Sequence, residues 1–170
     1  AAMLNPAWFW QAIHMLVGAA EAVGFAVAGV HALRILRGDK DPIHRLGLTI
    51  ALVVGAVAAL TQPLVGHASA QDVARRQPVK LAAIEALFET TKGADLSIGG
   101  WPDMETGEVH WAIEVPGGLS FLAFNDFDAE VKGLDQTPRS HWPPVPVVHI
   151  AFQIMVGIGS FLAGLAVLSL

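Results

Sequence analysis

The chain has 170 residues, of which 54% are hydrophobic and only 15% charged, and its mean hydropathy is +0.53. These proportions exclude an ordinary soluble domain, and a net charge of −5 goes with no nucleic-acid partner. Cysteine is absent, so disulfides give no hint of redox compartment.

The charges are segregated along the chain. Pro6 to Leu33 carries one formal charge, Glu21, while Leu46 to Gly66 and Val145 to Leu170 carry none. Each run is near the ~20 residues that cross ~30 Å of hydrocarbon as a helix. A soluble three-helix bundle would need polar helix faces, and the second and third runs have none. The expected fold class is all-α integral membrane: three transmembrane helices with a long extracytoplasmic loop between the second and third. The expected organisation is a helical hairpin over 1–66, the loop over 67–144 and a last helix over 145–170.

In chain order, Ala1-Ala2-Met3 lacks the basic region of a secretory signal peptide, so none is expected. The first apolar run carries His14 about eight residues from its outer end, at ~10–12 Å depth for a 1.5 Å rise. Ionisable groups at such depth are costly and usually functional. Glu21 shares a face with His14 two turns on and is expected to face protein or internal water. The next turn holds Arg34, Arg37, Lys40 and Arg45, with His31 and His44 flanking it. The positive-inside rule puts this turn in the cytoplasm and the long loop outside. Pro63 is expected to kink the outer end of the second run.

The loop carries twelve acids against six basic residues and is too long for an idle connection. After Gln77-Pro78, the segment Lys80-Leu81-Ala82-Ala83-Ile84-Glu85-Ala86-Leu87-Phe88-Glu89 is rich in helix formers. Its Leu81, Ile84 and Phe88 recur at helical spacing. Gly99-Gly100-Trp101-Pro102-Asp103 marks a break. Val109, Trp111, Ile113 and Val115 alternate with other residues as one half-buried strand would. His67, His110 and His141 are expected in surface or structural roles. The loop should form a compact cap on the bilayer surface.

The third run brings His149 near its outer end and Met155 about ten residues in, so ~15 Å deep. His14 and Met155 are both good ligands for haem iron, and their depths match. A methionine ligand raises the haem potential relative to two histidines, which suits an acceptor of electrons from a quinol. On these residues alone, three readings stand: a His14–Met155 haem, a bis-histidine cytochrome b with His149 in place of Met155, and a haem-free anchoring or assembly subunit. The run ends at Leu170 without a polar flank, which suggests a piece of a longer membrane protein or a subunit buried among others.

Lys80-Leu81-Ala82-Ala83-Ile84-Glu85-Ala86 resembles the quinol-binding loop of subunit I of the cytochrome bd oxidases. Leu4-Asn5-Pro6 before His14 agrees with that family, and Ala151-Phe152-Gln153-Ile154-Met155-Val156 resembles its methionine motif. The Gly-Trp-Pro-Asp and Glu-Val-Lys-Gly-Leu-Asp segments are similar to the short form of its loop. The resemblance covers essentially the whole chain. It implies that His14 and Met155 ligate a low-spin haem b, with Gln153 beside that site. Many members have arginine where this chain has Gln153, so electrostatic support of the reduced haem differs here. It implies further that Lys80 and Glu85 belong to the quinol site. On an ideal helix these two stand ~140° apart, which does not make a simple ion pair.

The partners so implied are membrane quinol, the lipid bilayer and the remaining oxidase helices or subunits. The localisation implied is a prokaryotic cell (inner) membrane. Further haems b and d would belong only to the complete complex. The helices that should ligate them precede His14 in the family, so this chain alone is not expected to reduce oxygen.

Overall fold

A computed structural model describes residues 8–169; Ala1-Ala2-Met3, Leu4-Asn5-Pro6, Ala7 and Leu170 lie outside the described residues. The chain divides into two compact units, one from His67 to Val156 and one from Trp8 to Gly66 joined by residues from Gly157 onward. Three helices are long and apolar enough to cross a membrane: α1 (Trp8–Leu36), α2 (Pro42–Arg76) and α5 (Val145–Ser169).

The hairpin unit is built on small residues. The buried residues of α1 are Glu21, Gly24 and Ala28, one face of the helix. On α2 the buried positions include Ala51, Gly55, Ala58 and Ala59. A side chain added at Gly24 would put its Cβ 2.6 Å from the Gly55 Cα, so the two backbones are nearly in contact. Ala56 and Ala59 also pack with Ala166 of α5 and with Phe25. Large side chains such as Leu16, Val23, Leu46, Val57 and Leu64 point outward. That distribution suits lipid, where close approach of small residues, not burial of large ones, drives helix packing.

The turn between α1 and α2 is tied by side chains. His44 Nε2 lies 3.0 Å from Asp39 Oδ2, and the Nδ1 atoms of His31 and His44 are 3.0 Å apart. The Asp41 backbone N–H, then His44, hold the exposed Asp39 carboxyl below its ordinary range. α2 then runs for 35 residues without a break at Pro63, about 50 Å at 1.5 Å per residue. It therefore continues past the expected exit at Gly66 as far as Arg76. Ala68, Ala70 and Ala74 favour helix there, and an Asp72–Arg76 pair at 2.6 Å spans one turn.

The cap unit has an ordinary protein core. Helix α3 (Pro78–Glu85) starts on a proline and ends at Ala86, whose φ of +52° is left-handed. Six short strands follow: β1 (Thr91–Lys92), β2 (Leu96–Ile98), β3 (Trp101–Asp103), β4 (Glu108–His110), β5 (Ile113–Val115) and β6 (Glu130–Val131), with α4 (Gly118–Phe124) between β5 and β6. They pair antiparallel as β1–β6, β2–β5 and β3–β4. The single strand expected over 109–115 is thus two, each with its own partner. Trp111 separates them in a left-handed conformation, φ +59°, and is 89% exposed. The alternation is real, but Trp111, Ile113 and Val115 all lie on the surface.

Two clusters fill the cap. Leu81, Ala94, Leu119, Ala123 and Val131 form one, and Ala82, Ala83, Ala86, Phe88, Leu134 and Val145 the other. Ser120 ties the first together: its Oγ accepts from the Ala94 N–H at 2.7 Å and donates to the Ala129 carbonyl at 2.8 Å. His67, His110 and His141 take structural or surface places. His67 lies 2.9 Å from Asn125 Oδ1, His110 lies 3.4 Å from Asp103, and His141 is exposed.

Candidate functional site

Helix α3 sets out the two residues singled out for acid–base work. Lys80, in its first turn, is exposed, and among the described residues it forms no salt bridge. Glu85 is the last helical residue and is 4% exposed. The five-residue spacing thus puts one group in solvent and the other in the cap, and the structure does not bring them together. Neither Glu85 carboxylate oxygen has a hydrogen-bond partner among the described residues. Burial pushes its pKa up to about 7, since an ion out of water and without a counter-charge is disfavoured. The helix C-terminus adds partial negative charge beside it. A buried carboxyl half-protonated near neutrality is suited to accepting and releasing a proton.

Helix α5 carries three residues of interest in its N-terminal half. Met155 is 49% exposed. Gln153 is spent on the loop: its Nε2 donates to the Ser97 carbonyl at 2.8 Å, and its Oε1 accepts from the Gly99 N–H at 3.0 Å. His149 is fully buried. Its Nδ1 lies 2.8 Å from the Ile84 carbonyl and its Nε2 3.2 Å from the Gly99 carbonyl. His149 is thus enclosed inside the cap with both ring nitrogens close to carbonyl oxygens, which weighs against the bis-histidine reading.

His14 belongs to the hairpin unit. It is half-buried on α1, and Gly66 of α2 leaves its ring 3.7 Å of clearance from where a Cβ would stand. Gln62 of α2 is the neighbour that sequence reading missed. Its Nε2 donates to the His14 carbonyl at 3.2 Å and sits 3.4 Å from the ring Nδ1, while its Oε1 is buried without a partner among the described residues. A polar residue in an apolar run was the available signal. The His14 imidazole in one unit and the Met155 thioether in the other are each a donor type that haem iron takes, so each residue by itself fits that group. Glu21 is buried on the face of α1 that meets α2, with Oε1 unpartnered among the described residues, so it faces protein, as expected.

Comparison with known proteins bears on the whole chain. The chain is 45% identical over 166 residues to the "Putative cytochrome bd menaquinol oxidase subunit I" of Bacillus subtilis, covering 95% of this chain and 37% of that protein. It is 31% identical over 169 residues to the cytochrome bd ubiquinol oxidase subunit 1 of the same organism, covering 94% of this chain and 36% of that protein. The bd oxidase structure from Geobacillus thermodenitrificans superposes with a TM-score of 0.87 at 36% identity, over 98% of this chain and 38% of that one. The chain thus spans a little over a third of the length of the relatives it matches. The model of the cytochrome bd terminal oxidase subunit I family matches residues 1–170, and the chain belongs to that family.

Proposed function

We propose that this chain is the quinol-oxidising, electron-entry part of a cytochrome bd-type terminal oxidase. The observation that carries the reading is Glu85: a buried carboxyl at the end of a helix in the cap, without partner or counter-charge among the described residues, titrating near 7. Membership of the bd oxidase family supplies the quinol chemistry. A membrane quinol docks at the cap, Glu85 accepts a proton from it, and Lys80 donates a hydrogen bond to a quinol oxygen. His14 and Met155 are the residues that would hold a low-spin haem b, which would supply one-electron acceptance from the quinol. The proton route is outward, because the basic turn between α1 and α2 faces the cytoplasm. The chain then works as a hairpin over 1–66, a quinol-binding loop over 67–144 and a ligand-bearing helix over 145–170, in a prokaryotic cell membrane. Oxygen reduction falls to the remaining helices or subunits of the complex, with their further haems b and d.

The test uses the complete oxidase. Lys80→Ala and Glu85→Ala should each slow quinol-driven haem reduction by at least about tenfold, within the range of a lost acid–base group. The haem spectrum and dithionite reduction should be unchanged. Unaltered quinol kinetics in both variants would remove the catalytic role.

A further inference from the structure

Helix α3 ends at Glu85, so its last carbonyls lack intrahelical donors. The Ala86 and Leu87 N–H groups both return to the Ala82 carbonyl and leave that of Ile84 unserved by the cap. Its partner comes from elsewhere: His149 Nδ1, at 2.8 Å, from a fully buried ring on α5. A carbonyl only accepts, so the proton is assigned to Nδ1 on its shorter contact.

One turn further along α5, Gln153 grips the turn after β2. It donates to the Ser97 carbonyl at 2.8 Å and accepts from the Gly99 N–H at 3.0 Å, while His149 Nε2 faces the Gly99 carbonyl at 3.2 Å. Gly99 and Gly100 have φ of +71° and +93°, so this turn needs glycine. A Cβ at Gly100 would stand 2.6 Å from Val109 Cγ1, which fixes the turn against β4. Two side chains at i and i+4 on one helix face thus hold two separate stretches of the cap. Met155, two residues beyond Gln153, projects about 200° around an ideal helix from it, so its face stays clear of the brace.

We infer that His149 and Gln153 are positioning residues for quinol oxidation: they brace the Glu85-bearing end of α3 and the Gly99 turn to the helix that carries Met155. The inference rests on the reading of Glu85 as the proton acceptor. The brace fixes the backbone one residue before the carboxyl and closes the Gly99 turn without touching a reacting atom.

The experiment compares Gln153→Ala, Gln153→Glu and Glu85→Gln in the complete oxidase. Gln153→Ala is chosen because the half-buried Gln153 is less at risk of misfolding than the fully buried His149. Two quantities are read: exchange protection of the Gly99 amide, and the maximal rate of quinol-driven haem reduction per haem. Gln153→Ala should remove the Gly99 protection and slow quinol-driven reduction about tenfold, the scale of losing two hydrogen bonds. Haem content, spectrum and midpoint potential should be unchanged. Gln153→Glu keeps an acceptor for the Gly99 N–H, so it should retain that protection and recover part of the rate. An unchanged quinol rate in Gln153→Ala overturns the inference. So does a shifted haem potential at normal quinol rate, which would assign Gln153 to the haem. If Glu85→Gln slows quinol oxidation while Gln153→Ala does not, only the brace falls; if neither does, the reading of Glu85 falls with it.

Discussion

The hairpin unit and the cap are packed by opposite rules. In the hairpin, glycine and alanine lie inside and leucine and valine outside. In the cap, Leu81, Leu119, Val131 and Leu134 are inside, as in any protein in water. The difference teaches what each part has for a solvent. A large apolar side chain gains nothing by leaving lipid for another helix, so close backbone contact decides the helix interface. In the cap, water supplies the drive, and apolar area removed from it is the main stabilising term. Each unit also keeps a buried acid, Glu21 in one and Glu85 in the other.

The comparison breaks most sharply at Leu134, which is fully buried. Leu134→Ala should destabilise the cap by about 2–5 kcal/mol, whereas Leu64→Ala, on the outer face of α2, should stay within about 0.5 kcal/mol. Exchange protection of cap and hairpin amides in the same sample reads both. Equal effects would mean that the two units share one packing rule.

The next effect is a pH dependence confined to the cap. Glu85 titrates near 7 in the folded chain against an ordinary 4.5. Because the folded value is raised, this group's contribution is full below about 4.5 and is lost as pH rises through 7. Glu85→Gln does not titrate, so the natural protein should lose up to about 3 kcal/mol relative to it on going from pH 4.5 to 8. Cap exchange measured at both pH values checks this. A difference that stays flat would mean that a cation pairs with Glu85.

The smallest of the three concerns the close approach of α1 and α2. Gly24→Ala places a Cβ 2.6 Å from the Gly55 Cα, and should cost about 1–3 kcal/mol through overpacking. Gly29→Ala, with nothing within 4 Å, should be harmless. A cross-link yield between α1 and α2 distinguishes them, and an equal yield would sink the close-contact account.

The sequence by itself determined the three spans, because a run of about 20 apolar residues with one charge or none has few alternatives to a membrane helix. It also placed Lys80 and Glu85 on one helix and on different faces, since periodicity is a local property. It marked His14, Glu21 and Met155 by depth alone. Only the tertiary structure decided the rest. Whether a carboxyl is paired or bare depends on neighbours distant in the chain, and so does its titration near 7. His149 was legible as a candidate ligand; the Ile84 carbonyl it donates to, 65 residues earlier, was not. Gln153 carries no sign in its spacing of the amide and carbonyl it binds on β2 and the turn after it. The alternation from Val109 to Val115 predicted one strand, but pairing with two different partners split it at Trp111. Local pattern fixes which face a residue presents, and long-range hydrogen bonding fixes what that face meets.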